Sequence, residues 1–166
     1  MEKKFKNRFD ELEFLVAVGE PSDRKILYDK MKSAGIKPAT LIDKTVVISP
    51  TAKIGAGSVI FEMSSVHSNA LLGENVLIYS FSAVTHDVKI GNHSLISAGV
   101  KIGGRTEIGE KVFVGLGATL RDRIKIGDDV IISMGAAVFN KIRAGATVIG
   151  NPGEIIRGNK EHKVFK

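Results

Sequence analysis

From residue 48 to residue 138 every sixth position is Ile, Val or Leu, 16 in a row without a break. The series is Ile48, Ile54, Ile60, Val66, Leu72, Ile78, Val84, Ile90, Ile96, Ile102, Ile108, Val114, Leu120, Ile126, Ile132 and Val138, and Ile42 is a candidate seventeenth. With these three residue types at roughly a quarter of the chain, chance produces such a run with odds on the order of one in a billion. A strict short period describes stacked units that bury a core only together. Four residues after each aliphatic stands a second inward position, from Ala52, Ser58 and Ser64 to Val130, Ala136 and Ile142. All of these are small or β-branched, as a tight core between short strands requires. Pro50 and Pro152 bracket the run with no proline between them, which suits rungs hydrogen-bonded on both sides.

A longer period lies inside the short one. Gly follows the aliphatic at 55, 73, 91, 109, 127 and 145, each 18 residues from the last. Three hexapeptides therefore make one coil, and the coil is a triangular prism. Residues 18 apart stack as neighbouring parallel strands do, about 4.8 Å apart. The fold class is mainly β: a parallel β-helix of about five to six coils over residues 42–153. Residues 1–41 form a small α/β subdomain, and residues 154–166 a short basic tail. In the subdomain, residues 14–18 fit a buried strand. Pro21 suits a helix first turn, Ile26, Leu27 and Met31 make an apolar face, and Gly35 suits the stop. Residues 40–42 look like another short strand. No G-x-G-x-x-G is present, so there is no dinucleotide fingerprint.

Composition narrows the function. The chain has no cysteine, which removes disulfides, thiolate metal sites and a Cys nucleophile. Residues 1–10 are charged rather than signal-like, and no apolar run is long enough to span a membrane, so a soluble cytoplasmic protein is expected. The net charge of +6 suits an anionic ligand. The basic residues are scattered without aromatic platforms, so nucleic acid is not expected as a partner.

The 18-residue period sorts outward residues into three corners. The first follows the glycines at 55 to 127 and is polar on every coil. It reads as a solvated turn with glycine in a left-handed conformation, and His93 in it is given no catalytic role. The second stacks Ala98, Leu116, Met134 and Pro152 beside Gly99, Gly117, Gly135 and Gly153. Outward apolar residues and a glycine ladder suit close approach of another chain or an extended ligand, although turn strain alone also calls for glycine. The third stacks Ser68, His86, Gly104 and Asp122 beside Asp87, Arg105, Arg123 and Lys141. There His86 has an acidic neighbour, a glycine one rung on and a column of cations beyond. His67 lies one coil earlier.

These residues carry a family resemblance. The run Ser82, Ala83, Val84, Thr85, His86, Asp87, Val88, Lys89, Ile90, Gly91 resembles the catalytic segment of the sialic acid O-acetyltransferase and UDP-amino-sugar N-acetyltransferase group. The closing Val148, Ile149, Gly150, Asn151, Pro152 is similar to that group's end-of-helix signature, and residues 14–42 resemble the last part of its N-terminal domain. The resemblance implies a left-handed β-helix, acetyl-CoA as donor, a sugar acceptor, and a homotrimer with active sites between subunits. It implies His86 as general base, with Asp87 orienting it. Gly104, Arg105, Leu116, Gly117, Arg123, Met134, Gly135 and Lys141 would line the CoA groove, Arg157 would add a phosphate contact, and a backbone N–H would hold the oxyanion. His67 and Tyr79 would face the acceptor. The chain departs from the group in three places. Tyr79 replaces the usual Asn seven residues before the catalytic His, Leu95 replaces a second His found in some members, and the Gly-rich opening of the N-terminal domain is not found. Two other readings stay open: a non-catalytic trimeric scaffold, and a γ-carbonic-anhydrase-like metalloenzyme, which needs three converging His.

Overall fold

The structure is a computed structural model that describes residues 11–165, so the charged residues 1–10 lie outside it. After β1 (Glu13–Phe14), α1 (Pro21–Ser33) and β2 (Lys37–Pro38), the chain enters a β-solenoid. Its strands run from β3 (Leu41–Ile42) to β19 (Ala137–Val138), each two residues long, and β20 (Ala146–Ile149) and β21 (Glu154–Gly158) end it. The solenoid strands form three faces of six, five and eight strands. Partners are 18 residues apart, as in Ala83 with Lys101 and Ile96 with Val114.

The second residue of each short strand points inward. From Ile60 to Val138 every aliphatic of the six-residue series is buried, while Ile42 at the open end is 41% exposed. Burying each such side chain contributes about 1.5–3 kcal/mol. The inward serines are satisfied by neighbouring corners: Ser94 Oγ donates to the Gly109 carbonyl (2.9 Å) and accepts from the Val112 amide (3.0 Å). The corner glycines 55, 73, 91, 109 and 127 are not left-handed. They are needed because coils touch: a Cβ on Gly91 would stand 2.5 Å from the Gly109 carbonyl carbon. The left-handed residues come two positions later, at Gly57, Asn75, His93, Lys111 and Asp129.

The last coil is two residues short. Val138 still pairs 18 residues from Leu120, but Ile142 pairs with Ile126 and Val148 with Ile132, each 16 apart. Lys141 therefore leaves the Arg105 and Arg123 column, and Pro152 and Gly153 leave the second-corner columns. The segment after residue 153 folds back as β21, antiparallel to β20.

The described segments before and after the solenoid cover the eight-stranded face. α1 begins with Pro21 and is followed by left-handed Gly35, but its apolar face is not the expected one. Ile26 and Leu27 are 64% and 40% exposed, and the buried residues are Pro21, Arg24 and Tyr28. The strand expected over residues 14–18 shortens to β1. What anchors the helix is polar. Arg24 is fully buried, and its Nη1 donates to the Val16 carbonyl (3.1 Å). Its Nη2 donates to Asn75, at the backbone carbonyl and at Oδ1 (2.6 Å). Burial lowers the Arg24 pKa to about 10. With Oδ1 engaged, Asn75 Nδ2 is left to donate to His93 Nδ1 at 3.0 Å. His93 is 5% exposed beneath the edge of Tyr28, so the first corner is not solvated where α1 crosses it. At the C-terminus the Glu20 carboxylate accepts the Val164 and Phe165 amides, and Phe165 meets Phe113 edge-on. No described helix is long and apolar enough to cross a membrane.

Burial, with Arg24 and Lys25 close by, lowers the His93 pKa to about 4, against the pull of Asp29 and Glu74. Between pH 6.5 and about 4 the unfolded chain binds a proton at this ring that the folded chain refuses, so stability falls as pH falls through that window. The loss is at most about 3 kcal/mol. Thermal melting from pH 8 to pH 4 should show this acid loss in the native chain and a flatter profile in His93→Gln. Parallel profiles would show that His93 is not its source.

Candidate active site

The third corner joins the six-stranded to the five-stranded face. Here Asn69, Asp87, Arg105 and Arg123 all adopt positive φ, and the residue before each of them projects outward. His86 is thus held at an edge, with its side chain about half exposed. Its Nδ1 lies 2.9 Å from Asp87 Oδ2. The carboxylate is held from other sides too: Asn69 Nδ2 donates to Oδ1 (3.1 Å) and Arg105 Nε is 3.7 Å from Oδ2. The hydrogen bonds from His86 and Asn69, with help from Arg105, keep the Asp87 carboxyl below its usual range. An ionised Asp87 accepts the Nδ1 proton, which leaves Nε2 as the basic nitrogen.

Gly104 sits one coil on, directly under the ring. A Cβ there would be 2.5 Å from His86 Nε2 and 2.6 Å from Cε1. The amide of Gly103 donates to Leu120 and that of Arg105 to the His86 carbonyl. Among the described residues the Gly104 amide makes no such bond. The corner therefore combines an oriented imidazole with a free backbone donor.

The basic column is shorter and more neutralised than the spacing suggests. Arg105 pairs with Asp87, while Asp122 lies 3.8 Å from both Arg121 and Arg123. Such exposed pairs are weak, because solvent and salt screen them. Lys141 sits instead beside Phe139, Asn140 and Arg123 in a notch that the shortened coil leaves. Arg157 is on β21, on another face. His67 is exposed one coil before Thr85, with Nε2 3.2 Å from Ser65 Oγ.

The second corner has the apolar edge. Leu116 and Met134 are 55% and 73% exposed. Gly99, Gly117 and Gly135 are left-handed, with φ of 72°, 64° and 66°, and a Cβ on Gly117 or Gly135 would meet nothing within 4 Å. Turn conformation alone accounts for these glycines. Tyr79 stacks on Phe61, with ring centroids 4.8 Å apart. It lines a cleft of about 360 Å³ with Leu95, Phe113, Leu116, Met134 and Phe165. Tyr79 and Leu95, two of the three departures from the family pattern, thus share one cleft. Among the described residues no three His, Asp or Glu side chains group as a metal site.

Comparison with known proteins fits this geometry. Residues 69–104 match the bacterial transferase hexapeptide (six repeats), and residues 105–140 the hexapeptide repeat of succinyl-transferase. No curated protein matches by sequence. The acetyltransferase domain of PglB from Neisseria gonorrhoeae is 30% identical, with a TM-score of 0.89 over 94% of this chain and 77% of that one. The same domain solved in complex with acetyl coenzyme A gives 0.85 at 30% identity, over 89% and 75% of the two chains. PerB from Caulobacter crescentus, in complex with CoA and GDP-perosamine, is 25% identical, with a TM-score of 0.85 over 86% and 69%. The chain belongs to the hexapeptide-repeat sugar acetyltransferases, whose fold is the left-handed β-helix.

Gly104→Ala tests the packing of the corner. The added methyl must push the His86 ring aside, so acetyl transfer should fall at least tenfold while the melting temperature changes little. Unchanged transfer would mean that the ring does not work where it rests.

Proposed function

We propose that the chain transfers the acetyl group of acetyl-CoA directly to an amine or hydroxyl of a sugar, with His86 as general base. The observation that carries this is the His86 corner: Nδ1 is fixed by Asp87 and Nε2 is free over Gly104. Nε2 takes the proton as the acceptor attacks the thioester carbonyl, and the Gly104 amide donates to the developing oxyanion. The tetrahedral intermediate then expels the CoA thiolate, which receives the proton back from the imidazolium. With no cysteine in the chain, no thioester relay on the protein is needed. Acetyl-CoA as the donor is supported by the PglB domain and PerB, solved with acetyl coenzyme A and CoA.

The working unit in this reading is a homotrimer. The six-stranded face lies between the His86 corner and the apolar corner, and four of its outward residues, Ser65, Ala83, Thr119 and Ala137, are small enough for close packing, with the long Lys101 side chain between them. Turned toward a three-fold axis, it sets the His86 corner of one subunit against Leu116, Gly117, Met134 and Gly135 of the next. The pantetheine arm would lie between them, with Arg105, Arg123 and Lys141 toward the CoA phosphates. His67 on the same corner and Tyr79 across the groove would face the acceptor.

Thiol release from acetyl-CoA should be measured against amino-sugars, sialic acids and their nucleotide conjugates, starting with GDP-perosamine, which PerB holds. His86→Ala should lower kcat by about 10² to 10⁴. Calorimetry should show that this variant still binds acetyl-CoA. Full activity in His86→Ala would end the proposal.

A further inference from the structure

The Asp87 carboxylate stands between two rungs that pull it in different directions. Asn69, Asp87 and Arg105 form one column, 18 residues apart, all with positive φ. The rung after Asp87 offers the Arg105 guanidinium, whose Nε is 3.7 Å from Oδ2. That oxygen is also the one 2.9 Å from His86 Nδ1. The rung before offers Asn69, whose Nδ2 donates to the other oxygen, Oδ1, at 3.1 Å. Arginine binds a carboxylate best through two parallel bonds, one to each oxygen. The Asp87 side chain is 37% exposed, so packing alone does not stop it from turning to make that fork. Turning would take Oδ2 away from the imidazole.

Asn69 is placed to resist this. Its own amide donates to Thr51 Oγ1 at 3.0 Å, which pins the residue to the rung before. Its φ of 57° is a left-handed value that Asn adopts more readily than most residues. A line of hydrogen bonds thus crosses three rungs, from Thr51 through Asn69 and Asp87, and ends at His86. The carboxamide holds Oδ1 without adding a charge that would compete with the imidazole for Oδ2.

We propose that Asn69 is a positioning residue for the His86 and Asp87 pair. It holds Oδ1, and so keeps Oδ2 on His86 Nδ1 against the pull of Arg105. This rests on His86 as the base of the transferase reading and adds the residue that fixes its tautomer. Asn69 does not bond the imidazole, and its effect passes through Asp87. With Asp87 held, the proton stays on Nδ1 and Nε2 stays basic over Gly104. The anchor also uncouples two neighbouring tasks. Arg105 can turn to an anion, as the proposed CoA groove requires, and the carboxylate does not follow it.

The test is made on the full chain and reads the imidazole before it reads turnover. In long-range proton–nitrogen correlation spectra at pH 8, the ring signal that disappears in His86→Gln should show one neutral tautomer, protonated at Nδ1. Asn69→Ala and Asn69→Gly should each turn it into a mixture, and adding Arg105→Gln should return it to one. Asn69 is exposed, so truncation leaves no cavity, and glycine suits the left-handed turn. The melting temperature should therefore hold in the glycine variant. In turnover both Asn69 variants should lower kcat at least tenfold and leave KM for acetyl-CoA within twofold. In an Asp87→Ala background the same changes should cost less than twofold, because nothing is left to position. A mixture in the native chain, or a single Nδ1–H tautomer in the Asn69 variants, overturns the proposal. So does an equal loss of kcat with and without Asp87, or a mixture that Arg105→Gln leaves unchanged. Mixed tautomers in the Asn69 variants of a chain that acetylates nothing sink the transferase reading and leave the positioning role standing.

Discussion

Everything in this molecule hangs on backbone amides that donate from one coil to the next. The Leu95 amide bonds the Val112 carbonyl, and the Arg105 amide bonds the His86 carbonyl, each reaching about one turn along the chain. Two-residue strands have no stability of their own. They persist because each inward aliphatic packs on its counterpart a coil away and no rung can slip without breaking both neighbours. That rigidity places side chains. An imidazole at residue 86 rests over residue 104 because the ladder leaves it no other neighbour, and glycine at 104 is the only residue type that makes room for it.

The same ladder explains which parts were legible in advance. A strict period makes column membership a matter of counting, so the His86, Gly104 and Asp122 stack and the exposed Leu116 and Met134 could be read from spacing. Counting fails where the period does. The two-residue shortening falls where the beat stops, with Ala144 and Gly150 on the old count and Ile142 and Val148 resuming it two residues early, and it moves Lys141 out of its column. Counting also fails where a non-repeating segment lands. His93 occupies an ordinary polar corner in sequence, and only α1 crossing it makes it buried and neutral. The helix misleads for a related reason. Its buried face is set by Arg24 and Tyr28 reaching polar atoms of the corner, whereas hydrophobic periodicity looks for Ile and Leu.

One signal was present and unused. The residue before each inward aliphatic points outward, and on one face it is Val59, Leu77, Leu95, Phe113 and Ile131. On the other two faces the same position is mixed or polar: Lys53, Leu71, Lys89, Glu107 and Lys125 on one, Val47, Ser65, Ala83, Lys101, Thr119 and Ala137 on the other. An outward apolar column on one face of a solenoid announces that something covers that face. In this chain the cover is the described segments before and after the solenoid.

That cover changes what the fold can do. A bare triangular prism has ridges and flat sides but no concavity that could select a sugar. In the proposed mechanism the His86 corner handles a proton and a thioester, which every acceptor shares. An apolar cleft forms where Gly19 and Phe165 close over the eight-stranded face. The closure is held by Glu20, at the helix N-cap, which spends its carboxylate on the Val164 and Phe165 amides instead of on its own helix. The helix has no side-chain cap, and the chain gains a wall. Chemistry and selectivity are therefore built from different parts of the sequence. In the proposed reading the repeat supplies the base and its register, and the non-repeating segments shape the cavity. This division accounts for why a perfect repeat identifies the reaction and stays silent about the acceptor.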